Sequence, residues 1–204
     1  AFPALTGVKT DVDWRDCPPA MASRYGITPA PALTVQCATM MNRADPNVAT
    51  GDSVTIPLIR IRLASTPAQA APIVAVTGTD LPAGQLVLAL ANGPAGAALL
   101  AKHPVVAVEQ RGVVDIDCMT RADRRILADN GSVGTGDDPQ AQVRRVAAAA
   151  RSAADSCTDA LDDNAMAFTY AQSATDVEAL RRKWGVDHIA LLGIGTGTQV
   201  ALSY

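Results

Sequence analysis

The sequence predicts an α/β protein built on a mostly parallel, doubly wound sheet. Three short apolar runs are typical of strands buried on both faces: QLVLALA at 85–91, VVAVE at 105–109 and IALLG at 189–193. After residue 85 these runs alternate with segments of helical character. Such alternation indicates parallel strands joined by crossover helices.

Composition narrows the class of protein. A chain of 204 residues makes one domain of ordinary size or a piece of a larger one, and 49% hydrophobic residues suffice for a core. The net charge of −3 and the aromatic content of 3% argue against nucleic acid as a partner. Uninterrupted apolar stretches stay below the length of about 18 residues that a transmembrane helix needs, so none is expected.

The first half of the chain is expected to begin with an N-terminal arm over 1–52, tied by a disulfide at Cys17. The remainder, 53–204, is assigned to the α/β domain. The segment SVTIPLIRIRLA at 53–64 alternates apolar and polar side chains, which predicts a half-buried strand of the antiparallel type. PIVAVTG at 72–78 is expected to form a short strand paired with it.

Two helices are predicted in the second half. Residues 119–136 are polar and rich in glycine, and indicate a loop or short helix. A helix is expected over 138–161, where an Asp-Pro pair opens a run rich in alanine. Another is expected over 175–184, begun by a Thr-x-x-Glu capping box and stopped by Gly185.

The last residues, TQVALSY, look helical but reach Tyr204 without a cap or stop signal. A sheet of this kind normally continues with further strand–helix units. We therefore expect the chain to be an N-terminal portion of a larger protein.

Four cysteines lie at wide spacing without a C-x-x-C pair, which gives a zinc or redox site little support. One interpretation is four buried thiols in a cytosolic protein. We favour two disulfides and an oxidising, extracytoplasmic compartment, with which a lipid anchor upstream of Ala1 would be compatible. Of the three possible connectivities, the local choice is Cys17–Cys37 with Cys118–Cys157.

A glycine cluster, GIGTG at 193–197, lies between the last predicted strand and the last helical segment. A dinucleotide fingerprint would need its third glycine one position later and a longer chain behind it. A nucleophile elbow, G-x-S-x-G, matches the glycine frame, but Gly195 stands where the serine should be. Thr196 is no substitute, because the residue after an elbow nucleophile supplies a backbone N–H to the oxyanion hole. The third interpretation is a tight packing turn without chemistry.

Five short motifs follow one another along the chain: WRDC at 14–17, QCA at 36–38, EQRG at 109–112, DVEALR at 176–181 and LLGIGTGT at 191–198. Their order resembles that of one family, the secreted tripeptidyl aminopeptidases, which are α/β-hydrolase serine peptidases. Cys118 and Cys157 also fall where that family has paired cysteines.

This resemblance implies an α/β-hydrolase-like fold, of which the chain would be the N-terminal half. It places Gly195 at the position of the nucleophile, and Thr196 and Asn92 in the remnant of the oxyanion hole. The family's G-G-P-G loop is matched by Asn92-Gly93-Pro94-Ala95. The acid and histidine of a triad would lie beyond Tyr204, and no cofactor or metal is expected.

Other polar residues are interpreted as structural. His103 and His188 each precede a predicted strand, and so belong at the sheet edge opposite the usual ligand edge. Arg111 is expected to anchor a loop through hydrogen bonds to carbonyl groups. Four aspartates have spacings that match no calcium loop and are expected to be solvated: Asp115, Asp117, Asp123 and Asp129.

Three functions are consistent with these residues. The first is a degenerate hydrolase, exported and inactive, which serves the cell envelope by binding a peptide, a small molecule or an envelope protein, or as a structural component. The second is an active serine peptidase or esterase whose nucleophile was replaced at Gly195. The third is nucleotide binding at 193–197. Whether the protein is an enzyme therefore depends on the turn around Gly195.

Overall fold

The computed structural model describes residues 3–19, 32–48, 50–113, 116–130 and 138–204. Within them lies a six-stranded sheet of order β1-β2-β3-β5-β4-β6. The strands are β1 (Arg15–Asp16), β2 (Leu33–Arg43), β3 (Ser53–Leu63), β4 (Ile73–Val76), β5 (Val105–Val108) and β6 (Ala190–Gly193).

The sheet is mixed and mostly antiparallel. The pairs β1–β2, β2–β3 and β3–β5 are antiparallel, whereas β4 runs parallel to both β5 and β6. The α/β class is therefore confirmed, but the predicted mostly parallel sheet is wrong. The main cause is the hairpin of β2 and β3, which pairs eleven residues of each strand from Leu33 opposite Leu63 to Arg43 opposite Ser53.

Strand β2 lies inside the range expected to be an arm. Its sequence, LTVQCATMMNR, has no clean alternation of polar and apolar side chains, and its residues are half-buried or exposed. The strand expected at 53–64 and the one at 105–109 are confirmed as β3 and β5. The short strand expected at 72–78 is confirmed as β4, but its predicted pairing with β3 is wrong because β5 lies between them.

The helices are α1 (Ala83–Asn92), α2 (Pro94–Leu100), α3 (Arg121–Asn130), α4 (Pro139–Leu161), α5 (Tyr170–Trp184) and α6 (Gly197–Ser203), with a 3₁₀ helix over Asp162–Phe168. Among the described residues, no single helix is both long and apolar enough to cross a membrane.

The apolar run at 85–91 is helix α1, so its predicted strand is wrong. Leucine and alanine dominate the run, and both are strong helix formers. Ala83, Leu86, Val87 and Leu90 all pack into one core cluster, and their spacing is that of one helix face. Counting from Ala83 rather than Gln85 would have shown this period.

Two helices were predicted in the second half of the chain. The first agrees closely with α4, whereas the second, α5, begins five residues earlier than expected. Helix α4 begins where Asp138 accepts a hydrogen bond from the N–H of Ala141 at 2.9 Å, as expected of its cap. Helix α5 begins at Tyr170, and its cap is Thr169. The predicted capping box is wrong, because Thr175 lies inside the helix. The predicted stop at Gly185 is confirmed by its left-handed φ of 66°.

Core side chains cover both faces of the sheet. Helices α5 and α6 pack on one face, through Val177, Leu180, Trp184 and Val200. Helices α1 and α2 pack on the other, through Leu86, Val87 and Leu100. Alternate residues of the central strands serve the two faces: Val74 and Val76 face one, and Ala75 faces the other.

The chain divides into two compact units. The first comprises Ala1–Asp115 and Ala167–Tyr204, and it holds the sheet. The second, Ile116–Met166, holds α3 and α4. Disulfides join Cys17 to Cys37 within the first unit and Cys118 to Cys157 within the second, which confirms the local pairing.

Candidate functional site

The turn after β6 is the strand–turn–helix junction that the glycine cluster predicts. Strand β6 ends at Gly193 and α6 begins at Gly197. The N–H of Ile194 donates to the C=O of Val76 at 3.1 Å, so the turn lies against the carboxyl end of β4. Gly195 has a φ of +58°. Residues with a side chain rarely adopt this backbone conformation, whereas glycine adopts it without strain.

Two further glycines of this junction, Gly78 and Gly197, leave no room for a side chain at their positions. A Cβ on Gly197 would collide with the C=O of Val76, and one on Gly78 would collide with the hydroxyl of Thr196. The residues after β4 and after β6 are therefore in direct contact. Because both strands end at this edge, it is where ligands of open α/β sheets gather.

Asp80 occupies the centre of the junction. It belongs to the loop 77–82, which links β4 to α1. Both of its carboxylate oxygens lie 3.2 Å from the backbone nitrogen of Thr196, which donates to them. The Thr196 hydroxyl donates to Oδ1 at 2.5 Å. A Cβ on Gly195 would collide with Oδ2 of the same carboxylate.

These hydrogen bonds keep Asp80 charged. The hydroxyl of Thr196 lowers the pKa of the Asp80 carboxyl and its backbone N–H adds to that effect, whereas desolvation opposes it. In a nucleophile elbow, the N–H of the residue after the nucleophile binds the oxyanion. In this turn, the N–H of Thr196 donates to a carboxylate of the chain itself.

The structure brings together some of the predicted site residues and separates others. Gly195 and Thr196 lie in the turn between β6 and α6, a placement that all three interpretations of the glycine cluster share. Asn92 is the last residue of α1, while the residue that contacts Thr196 is Asp80. Sequence analysis missed Asp80, although it follows the buried run IVAV by four residues. The rule that sites form at the carboxyl ends of strands would have pointed to it.

Both histidines lie where they were expected. His103 precedes β5, and its Nδ1 lies 2.8 Å from the C=O of Ala71. His188 precedes β6 and is exposed. Each is therefore at the start of a strand, at the sheet edge opposite the turn of Gly195.

Arg111 forms a buried network. Its guanidinium donates to the carbonyl oxygens of Ala44 and Ala167, both at 2.8 Å, which confirms the predicted carbonyl anchor. It also binds both carboxylate oxygens of Asp176, at 2.9 and 2.6 Å, and Asn42 donates to the same carboxylate at 2.7 Å. The side chains of Arg111 and Asp176 are 0% and 1% exposed. The EQRG and DVEALR motifs thus contact each other through a structural ion pair.

The acidic residues that the structure describes are not assembled as a metal site. Asp123 is buried and accepts hydrogen bonds from two hydroxyls of the second unit, at 2.8 and 3.1 Å, so its predicted solvation is wrong. Asp117 and Asp129 are exposed, and Asp115 lies outside the described residues. Within the part of the chain that the structure describes, no group of three or more His, Cys, Asp or Glu side chains could hold a metal ion.

The N-terminal segment is fixed to the sheet by Asp11 as well as by Cys17. One carboxylate oxygen of Asp11 accepts from the indole N–H of Trp14 at 2.9 Å and of Trp184 at 3.1 Å. The other accepts from Arg60 at 2.9 Å, and the Arg60 guanidinium lies 4.5 Å from the centre of the Trp14 ring. These contacts give the segment a structural role.

Comparison with known proteins finds neither a family model nor a curated protein that matches this chain.

Proposed function

We propose that this chain is a catalytically inert protein with an α/β-hydrolase-like scaffold, which acts outside the cytoplasm as a binding or structural component of the cell envelope. One observation carries the proposal: the Asp80 carboxylate binds the N–H of Thr196 beside a glycine at the nucleophile position. Both parts that acyl transfer requires, a nucleophile and a free oxyanion hole, are thereby lost.

The turn supports a hydrolase-like scaffold. A nucleophile elbow is a sharp turn between a strand and a helix, with the second oxyanion donor in the loop after a neighbouring strand. Here the turn follows β6 and has a positive φ at Gly195, and the loop 77–82 that meets it follows β4. The resemblance to tripeptidyl aminopeptidases includes the turn, through LLGIGTGT at 191–198, but not the loop 77–82.

The negative charge of Asp80 supports the proposal that the protein is catalytically inert. In acyl transfer, negative charge develops on the oxygen that enters the oxyanion hole. A carboxylate at that position repels the charge and occupies its hydrogen-bond donor. Asp80 is ionised at neutral pH, as carboxyl groups ordinarily are, and its lowered pKa extends the charge and the repulsion to more acidic pH. Loss of a serine nucleophile alone lowers turnover about a millionfold.

The two disulfides fit a secreted or extracytoplasmic protein, because such bonds persist in oxidising compartments. A role in the cell envelope is the part of the proposal that extends this location.

The test uses a fluorophosphonate probe, which labels activated serines, and chromogenic tripeptide anilides. We expect the wild-type protein to show neither labelling nor hydrolysis. Gly195→Ser should remain unlabelled as well, because the Asp80 carboxylate holds the Thr196 N–H that an oxyanion would need. Asp80→Gly is the matched control, because it removes the carboxylate without introducing a serine, and it should also remain unlabelled. Hydrolysis of the tripeptide anilides by the wild-type protein would overturn the proposal.

An active peptidase or esterase is the second candidate, favoured by the intact shape of the turn. The atom that a serine at 195 would meet is the end of a flexible side chain, which rotation or removal of Asp80 would clear. Under this alternative, Gly195→Ser combined with Asp80→Gly restores labelling in a protein that supplies a histidine and an acid. No labelling of that double variant would exclude it.

Nucleotide binding at 193–197 remains a prediction, which the Asp80 carboxylate opposes because a phosphate would meet a like charge at Thr196. A melting temperature that rises with millimolar NAD or ATP would support it.

A further inference from the structure

A small cavity lies beneath the carboxyl ends of β4 and β5. Val76, Val108 and Val177 form apolar walls, and the space open to the centre of a water molecule is about 10 Å³. One water molecule needs about that much room, so the cavity is large enough for one and too small for an organic ligand.

Three buried polar atoms belong to residues that line this cavity: Oγ1 of Thr77, Oε1 of Gln110 and Oγ of Ser173. Within the described part of the protein, none of the three has a hydrogen-bond partner. Such atoms are rare in folded proteins, because an unsatisfied buried polar group costs about 1–3 kcal/mol. All three residues line the same cavity, so a single partner in that cavity would account for all three atoms.

The chemistry of the three groups matches one water molecule. The amide oxygen of Gln110 can only accept a hydrogen bond, whereas the hydroxyls of Thr77 and Ser173 can donate or accept. A water molecule donates two hydrogen bonds and accepts two, and buried waters typically make about three. It can therefore donate to Gln110 and form one hydrogen bond with each hydroxyl.

The charged groups at the cavity already have partners. Asp176 is paired with Arg111, and Glu109 accepts from the N–H of Ala83 at 3.0 Å and from that of Gln110 at 3.2 Å. A neutral ligand that both donates and accepts therefore fits better than a cation.

We propose that this cavity is a specific site for one buried water molecule, which joins Thr77, Gln110 and Ser173. The water connects the ends of β4 and β5 to helix α5. Because Thr77 begins the loop that carries Asp80, the water also supports the base of that loop. The proposal does not depend on whether the protein is catalytically inert.

Oxygen-17 magnetic relaxation dispersion tests the proposal, since it counts long-lived waters and is insensitive to hydroxyl protons. We expect Thr77→Val combined with Ser173→Ala to reduce the amplitude by one water per protein molecule. Ser203→Ala is the matched control, because it removes an exposed hydroxyl that donates to Gln199, and it should leave the amplitude unchanged. An unchanged amplitude in the folded double variant would overturn the proposal.

A high-resolution crystal structure of the wild-type protein provides a second test, which stands even if the double variant fails to fold. It should show one ordered water within about 3.2 Å of all three oxygen atoms. A cavity without ordered density, or side chains that satisfy one another directly, would contradict the site.

Discussion

At the scale of single residues, Asp80 changes what the glycine turn can do. A turn with a free N–H at Thr196 could bind an oxyanion or a carboxylate ligand. Instead, the protein supplies its own carboxylate, held by one backbone N–H and one hydroxyl. The contact of Asp80 with Thr196 thus depends on Gly195, since glycine leaves the space that the carboxylate uses.

The contact predicts a shift in titration. Thr196→Val removes the hydroxyl that lowers the pKa of Asp80 most, so this pKa should rise toward its ordinary value of 3.8. Carbon-detected NMR of the carboxyl group measures it, with Thr79→Val in the same loop as control. An Asp80 pKa that is the same in wild type and Thr196→Val would contradict the hydrogen bond.

The sign of the linked stability follows from the same contact. Because the folded pKa of Asp80 lies below its unfolded value, the contact stabilises the folded state above the unfolded pKa. The contribution is lost as the pH falls through the folded pKa, below about 4. In Thr196→Val, the stability lost at low pH through this contact should be smaller. The free energy of unfolding, measured as a function of pH in the acid range, tests this expectation.

At the scale of elements, the Arg111–Asp176 pair fixes the segment after β5 to helix α5. Removal of one partner leaves a buried charge without compensation. We expect Asp176→Asn and Arg111→Ala each to lower the free energy of unfolding by about 3–5 kcal/mol. Urea denaturation measures the change.

The matched control is Arg15→Ala, which removes an ion pair with Asp13 whose side chains are 78% and 74% exposed. Exposed pairs contribute little, about 0–1 kcal/mol. Equal effects of Arg15→Ala and Arg111→Ala would contradict the assigned role of the buried pair.

Comparison of the predicted with the observed helices and strands shows which of them could be predicted from the sequence. Alternation revealed β3 and composition revealed β5, and the Asp-Pro cap located α4, because each signal is local. The run at 85–91 misled because an apolar run fits a buried strand and a buried helix equally well until its period is counted. Strand β2 gave no local signal, since it is stabilised mainly by pairing with β3. The contact of Asp80 with Thr196 spans 116 residues and leaves no local signal, so only its place after a buried strand could have pointed to it.

At the scale of the whole molecule, the two units differ in what holds them together. The first has apolar clusters on both sheet faces. In helices α3 and α4 of the second, the buried residues are Asp123, Gln142, Ala149 and Ala153. A core of that size contributes little hydrophobic stabilisation, so the Cys118–Cys157 disulfide is expected to carry a larger share.

We therefore predict that Cys118→Ala combined with Cys157→Ala loosens the second unit selectively. The bond spans 39 residues, and chain-entropy arguments assign such a loop about 4 kcal/mol. Hydrogen exchange should show loss of protection in α3 and α4 while β3, β4 and β5 stay protected. Cys17→Ala with Cys37→Ala is the control, and uniform loss of protection in both double variants would contradict the prediction.

A count of thiols tests the disulfides directly. The denatured, unreduced protein should contain no reactive thiol, and reduction should release four. Two or more free thiols before reduction would show that a pair is not formed.

The pairing pattern has a consequence for how the protein is made. Each disulfide joins a cysteine to the next one along the chain, so the two loops neither overlap nor enclose each other. A chain that enters an oxidising compartment from its N-terminus exposes Cys17 and Cys37 before Cys118 and Cys157. Oxidation in order of arrival then produces both native bonds, and the protein has little need of an isomerase to reach them.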